Sequence, residues 1–185
     1  MRNKNRHPCS VRLSTMGMTL ITASVFGLFP VLVGAEELPH EAVLPVSLAV
    51  TAAKSAVEHC GKDGYQGSVA VVDRSGVLRP FLRADGVGPH TVEGSEKKAY
   101  TSASMRGLTG NVAELIAKTP ALQGLQYMND RILFLAGGLP IEIAGEIIGG
   151  IGVGGRRSAR WHLDAACAQA GLDSIGAATK FAVTK

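Results

Sequence analysis

Little in this chain of 185 residues is aromatic: it holds one Trp, three Tyr and five Phe. The core must therefore be assembled from Val, Ile, Leu and Ala. Neither a Gly-x-Ser-x-Gly elbow nor a His-Glu-x-x-His helix occurs, which removes two familiar hydrolase signatures. Cys60 follows His59 directly, but neighbours on a helix point about 100° apart and do not make a nucleophile–base couple. The case for an enzyme thus has no positive feature. Cysteine is sparse, at three. The spacing of Cys9, Cys60 and Cys167 excludes a zinc knuckle. Acidic residues are missing altogether before Glu36.

That last absence marks out the start of the chain. Arg2, Lys4, Arg6 and Arg12 form a basic beginning, Leu13 to Val33 carries no charge, and Val33-Gly34-Ala35 offers small residues for cleavage. The pattern is that of a secretory signal over residues 1–35, followed by one periplasmic or secreted domain over 36–185. The uncharged run is long enough to span a bilayer, but Pro30 and the Thr, Ser and Gly residues oppose an uncleaved anchor. No cysteine follows the expected cut, so a lipid anchor is not indicated, and no stable membrane anchor is expected. The chain has 19 basic and 15 acidic residues, and four of the basic ones lie in the leader, leaving 15 of each. The basic isoelectric point belongs to the leader and gives no argument for nucleic acid as a partner. In an oxidising compartment Cys60 and Cys167 form either a disulfide between the first and last helices or two buried thiols.

Apolar residues recur at helical spacing from Val46 to Cys60, and Gly61 and Gly64 stop that helix. Ser68 to Asp73 and Val77 to Leu82 read as a hairpin, with Pro80 marking an edge or a bulge. After the glycine-rich loop Ala84 to His90, Thr91 is placed to cap a helix running to about Met105. Shorter helical pieces are expected at Asn111–Lys118 and Leu122–Met128, and a strand fragment at Leu133–Leu135. Ile141 to Ala144 and Ile147 to Val153 form a second hairpin, and Ala159 to Ala170 closes the domain with a helix. Hairpins rather than crossovers join the strands, so the class is α+β with an antiparallel sheet. The string Gly149-Gly150-Ile151-Gly152-Val153-Gly154-Gly155 lies inside a strand and is not a dinucleotide fingerprint. It implies close backbone approach, to a neighbouring subunit or to a ligand.

An ordered set of segments then becomes specific. It comprises Val69-Ala70-Val71-Val72-Asp73, Arg83-Ala84-Asp85-Gly86, Lys98-Ala99-Tyr100-Thr101, Gly137-Gly138-Leu139-Pro140-Ile141, the glycine strand, and Asp164-Ala165-Ala166-Cys167-Ala168-Gln169-Ala170-Gly171. In order and spacing this set resembles the GlcG/HbpS-like haem-binding family, which also includes the C-terminal domain of PduO-type proteins. The resemblance covers about Val46 to Gly171. It implies a profilin-like fold, with the N- and C-terminal helices packed on the antiparallel sheet. It also implies a homo-oligomer, often an octamer, and haem as cofactor, with roles in haem handling or redox sensing. Some members are tied to glycolate metabolism, so a small organic-acid binding protein or enzyme is the alternative. Ala84 and Gly154-Gly155-Arg156-Arg157 depart from the family's usual residues in loops that would line a site.

Haem requires an axial ligand, an apolar slot and cations for two propionates. His90, at the end of the glycine loop, is the first choice as axial ligand. His162, beside Trp161 on the closing helix, forms with it either a grip on a flat ring or an ordinary helix-packing pair. His59 at a helix C-terminus suits a structural role, and His40 lies outside the folded elements. Arg83 and Lys98 are candidate propionate partners, with ordinary pairing to Asp85 or Glu96 as their structural alternative. Arg156, Arg157 and Arg160 form a basic cluster after the last strand. Glu93 and Glu96, three apart on one helix face, are candidate ligands for a hard or ferric ion.

Overall fold

A computed structural model describes residues 38–62, 64–155 and 161–180. It divides into a unit of residues 1–39 and a unit of residues 40–185. Of the first unit only Leu38 and Pro39 are described, both exposed. The leader and the cluster Arg156, Arg157 and Arg160 lie outside the described residues. Among the described residues no helix is long and apolar enough to cross a membrane.

The second unit is α+β. Helix α1 spans Val46–Lys62, and strands β1 (Gly67–Asp73) and β2 (Leu78–Arg83) form the first hairpin. Helices α2 (His90–Met105) and α3 (Thr109–Lys118) follow, then a 3-10 helix at Pro120–Tyr127. Strands β3 (Gly138–Ile143) and β4 (Glu146–Gly155) make the second hairpin, and α4 (Trp161–Ser174) closes the domain. The sheet has four strands in the order β2-β1-β4-β3, every neighbour antiparallel. β2 is an edge strand, and its register slips opposite Ala70 and Val72, so Pro80 sits where a missing N–H is tolerated.

One face of the sheet carries side chains. Val69, Val71, Ile141, Ile151 and Val153 are buried there with Ala49, Ala52, Ala53 and Ala56 of α1 and Ala168 and Leu172 of α4. Each such Val or Ile contributes about 1.5–3 kcal/mol by leaving water. The helices meet over small residues, and a Cβ at Gly171 would lie 2.6 Å from the Ala52 carbonyl oxygen. Cys60 and Cys167 are bridged, with Cα atoms 5.4 Å apart, so of the two sequence alternatives the disulfide is the one formed.

On the opposite face β4 is bare, while β1 adds a small cluster, Ala70 and Val72 buried with Ala99 and Ala103 of α2 and Phe81 beside them. Gly138, Gly150, Gly152 and Gly154 point at α2, and a Cβ at Gly152 would run into the Ser95 carbonyl. At Gly150 an added Cβ would sit 2.6 Å from Ser102 Oγ. The glycine string is therefore used for the close approach of the chain's own helix, which corrects the expectation of a subunit or ligand contact there. The hydroxyls of Ser95 and Ser102, buried in this contact, donate to the Val92 and Ala99 carbonyls of their own helix.

Two local expectations give way. Leu133–Leu135 is not a strand: its Leu133 N–H donates to Thr101 Oγ1 at 2.8 Å, and Thr109 Oγ1 donates to the Leu135 carbonyl at 2.6 Å. Hydroxyls from α2 and α3 take backbone groups that a ladder would otherwise use. Thr91 does not cap α2. The helix opens one residue earlier at His90, and the Thr91 hydroxyl donates to the Gly88 carbonyl at 2.7 Å.

Candidate functional site

Topology gathers the candidate residues at one end of the sheet. Ser68 of β1 pairs with Arg83 at the end of β2 and with Gly154 at the end of β4. The start of α2 lies over the same end, since Gly154 faces the Thr91 carbonyl. The first turn of α4 reaches it from the other face through Asp164, as described below.

The loop that carries His90 is pinned at three points. The Arg83 guanidinium donates from Nε at 3.1 Å and from Nη2 to the Val87 carbonyl. Val87 itself is buried beneath the loop. Ser68 Oγ and Thr91 Oγ1 are 2.7 Å apart, and Thr91 spends its only proton on Gly88, so Ser68 is the donor. His90 is left exposed as the first residue of α2. Arg83 is thereby engaged with a backbone carbonyl of its own loop rather than with Asp85.

Lys98 lies deeper. Its side chain is 7% exposed and that of Asp164 is 8%. Lys98 Nζ donates to Asp164 Oδ2 at 2.7 Å and to the Val153 carbonyl at 2.9 Å. The Tyr65 hydroxyl donates to Asp164 Oδ1 at 2.6 Å. This is possible because β3 begins at Gly138, opposite Gly152, so beyond that point β4 has no β3 partner in the ladder. Glycines 137 and 138 give the lysine stem passage: a Cβ on Gly137 would lie 3.1 Å from Nζ. The expected partners Asp85 and Glu96 are replaced by Asp164, a residue from the last helix.

On the outer side of α2, Glu93 is exposed and accepts from Lys97 Nζ at 2.7 Å. That hydrogen bond and the lysine charge hold the Glu93 carboxyl below the usual carboxylate range. Glu96 is half-buried one turn on. Among the described residues no group of three or more His, Cys, Asp or Glu side chains could hold a metal. His162 is exposed two residues before Asp164. The side chain of Trp161 lies outside the described residues. A groove of about 400 Å³ between α1 and α4, lined by Glu58, His59, Lys62 and Asp173 among others, includes none of the sequence-predicted haem residues.

The donor set fits haem in one respect and leaves it short in another. Two exposed imidazoles stand at the starts of two helices at one sheet end. The two cations assigned to propionates are committed elsewhere, Arg83 to Val87 and Lys98 to Asp164. Sequence reasoning missed Tyr65, Ser68 and Asp164. The signal for Asp164 is a lone acid inside the Ala-rich run Asp164-Ala165-Ala166-Cys167-Ala168.

Comparison with known proteins places this geometry. A family model described as haem-degrading protein HbpS-like matches residues 44–173. The crystal structure of HbpS is 40% identical, covers 75% of this chain and 94% of its own, and superposes with a TM-score of 0.68. A crystal structure of a PduOC–haem complex, 24% identical over 75% of this chain and 99% of its own, has the same fold at a TM-score of 0.68. An uncharacterised 15.0 kDa protein of the dhaT–dhaS intergenic region of Citrobacter freundii is 34% identical over 87 residues. That match covers 46% of this chain and 61% of the relative's length.

Proposed function

The chain belongs to the HbpS-like family, and from that premise we propose that it is an exported module that binds haem or a related tetrapyrrole. The observation that carries this reading is the pinned glycine loop, which the Arg83–Val87 and Ser68–Thr91 hydrogen bonds hold beneath the exposed imidazole of His90. Val87 is buried at the inner side of the glycine loop, and His90 is the residue of this loop that would ligate a haem iron. The haem bound by PduOC, a protein of the same fold, supports the ligand class. Export is supported by the leader and by the buried Cys60–Cys167 bridge, which belongs in an oxidising compartment. Self-association is supported by the apolar side chains exposed around α3, among them Leu115, Tyr127, Met128 and Leu135. Glu93 and Glu96 would hold a ferric ion only weakly, because Lys97 competes for the first.

The organic-acid alternative would hold a carboxylate with Arg83 and the cluster Arg156, Arg157 and Arg160; Arg83 is engaged with the Val87 carbonyl, and the cluster lies outside the described residues. Titration of the chain from residue 36 onward with haem tests the proposal. A Soret band should grow to saturation, and His90→Ala should shift or weaken it. An unchanged spectrum on haem addition overturns the proposal.

A further inference from the structure

We propose that the buried Lys98–Asp164–Tyr65 network is the positioning device of the ligand site, fixing the start of α4, and with it His162, against the middle of α2, the helix that His90 opens. The inference rests on the haem-binding reading above and concerns residues that do not touch the ligand.

The physical question is why an ion pair is buried at all. Desolvating a lysine and an aspartate costs about as much as their attraction returns, and well-packed apolar residues of similar size are as stabilising. A charge pair does something that apolar contact does not: it has one geometry. That matters for α4. Its contact with α1 centres on small residues, Ala49, Ala52, Ala53 and Ala56 against Ala168 and Gly171, with Leu172 the large side chain buried beside them. Such a surface has few knobs to fix register.

Two fixed points remove the freedom. Cys167 ties α4 to α1 through the disulfide. Asp164, about one turn earlier, ties it through Lys98 to α2 and through Tyr65 to the segment before β1. α2 lies on one face of the sheet and α4 on the other, so Lys98 makes a direct polar link between the two layers at the site. Its additional bond to the Val153 carbonyl fixes that link to the end of β4. His162 lies two residues before Asp164, and His90 lies two helical turns before Lys98. The pair therefore sets the relation between the two imidazoles as a second layer sets the ligands of a metal centre.

The test is a haem titration of the parent and three variants with thermal unfolding run beside it. The triple variant K98M/Y65F/D164L removes all three polar ends together and leaves no buried charge unpaired. It should unfold within a few degrees of the parent, yet bind haem about tenfold to a hundredfold more weakly, with a displaced Soret maximum. E146Q, which weakens an exposed pair with Arg74 at the opposite end of the sheet, should change neither quantity. K98R, which keeps the charge, should recover part of the affinity. Equal affinity and an identical Soret maximum in the triple variant would overturn this inference alone. Absence of any haem band in the parent protein overturns it together with the functional reading. Should the triple variant fail to fold, D164N supplies the same comparison of affinity and band position.

Discussion

The two faces of the sheet solve the same packing problem in opposite ways. On the α1/α4 face, strand side chains such as Val71, Ile151 and Val153 fill the space, and a disulfide holds the covering helices together. On the α2 face β3 and β4 offer Gly138, Gly150, Gly152 and Gly154, and the helix lies directly on their backbone, with Ala70 and Val72 of β1 beside them. The first face is thick and adjustable, since a missing methyl can be absorbed by neighbouring side chains. The second is thin and has nothing to give, since the nearest atoms to any added carbon are backbone. The thin face carries the start of α2, where His90 stands, so the candidate ligand is mounted on the less compliant layer.

The largest effect should come from cutting the staple of the thick face. The disulfide closes a loop of about 107 residues, and its loss is expected to cost about 4–5 kcal/mol through the entropy of the unfolded chain. Denaturant unfolding of C60S/C167S measures this, and a loss below about 1 kcal/mol would mean that α1 and α4 hold each other without it.

Adjacent residues on β4 sharpen the contrast. Gly152→Ala adds one carbon on the thin face and should cost about 3 kcal/mol, because the Ser95 carbonyl cannot move without lifting α2. Ile151→Val removes one carbon on the thick face and should cost about 1 kcal/mol. Equal costs in the two variants, measured by the same unfolding curve, would erase the distinction between the faces.

The same contrast explains what could be read from the amino-acid sequence. The thick face is legible: Val69 and Val71 in the run Val69–Val72, buried on both faces, and a helical alanine pattern after Val46 announce a buried strand and a packed helix. Both hairpins and the edge character of β2 followed from turn residues and Pro80. On the thin face, the buried side of α2 mixes Thr91, Ser95, Lys98, Thr101 and Ser102 with only Ala99 and Ala103, which gives no strong hydrophobic period to detect. The partner of the glycines was therefore left between a subunit and a ligand, and it is α2. The strand placed at Leu133–Leu135 failed because its backbone groups go to Thr101 and Thr109, contacts fixed only by the tertiary fold. At the site, the candidacy of His90 came from its loop and that of His162 from its neighbour Trp161. The partner of Lys98 was not visible, because Asp164 meets it only once β4 is inserted between β1 and β3.

The smallest effects lie on the outer surfaces of the two layers, where each carries a carboxylate paired with a lysine. On α4, Asp173 is held below the usual carboxylate range, first by its hydrogen bond to Lys180 and further by one from Gln169. On α2, Glu93 is held down by Lys97 alone. A carboxyl whose folded value is depressed binds fewer protons folded than unfolded near that range. Its stabilisation is therefore present at neutral pH and fades as pH falls through and below the usual carboxylate range. Both pairs are exposed, so the contributions are small and salt-sensitive. K97M should abolish the Glu93 share of the acid-side slope of stability, whereas K180M should leave a remnant of the Asp173 share through Gln169. Unfolding curves collected between about pH 5 and pH 3 at low ionic strength separate the two. If both variants flatten the slope completely, Gln169 does not hold Asp173 in solution, and the two outer surfaces behave alike.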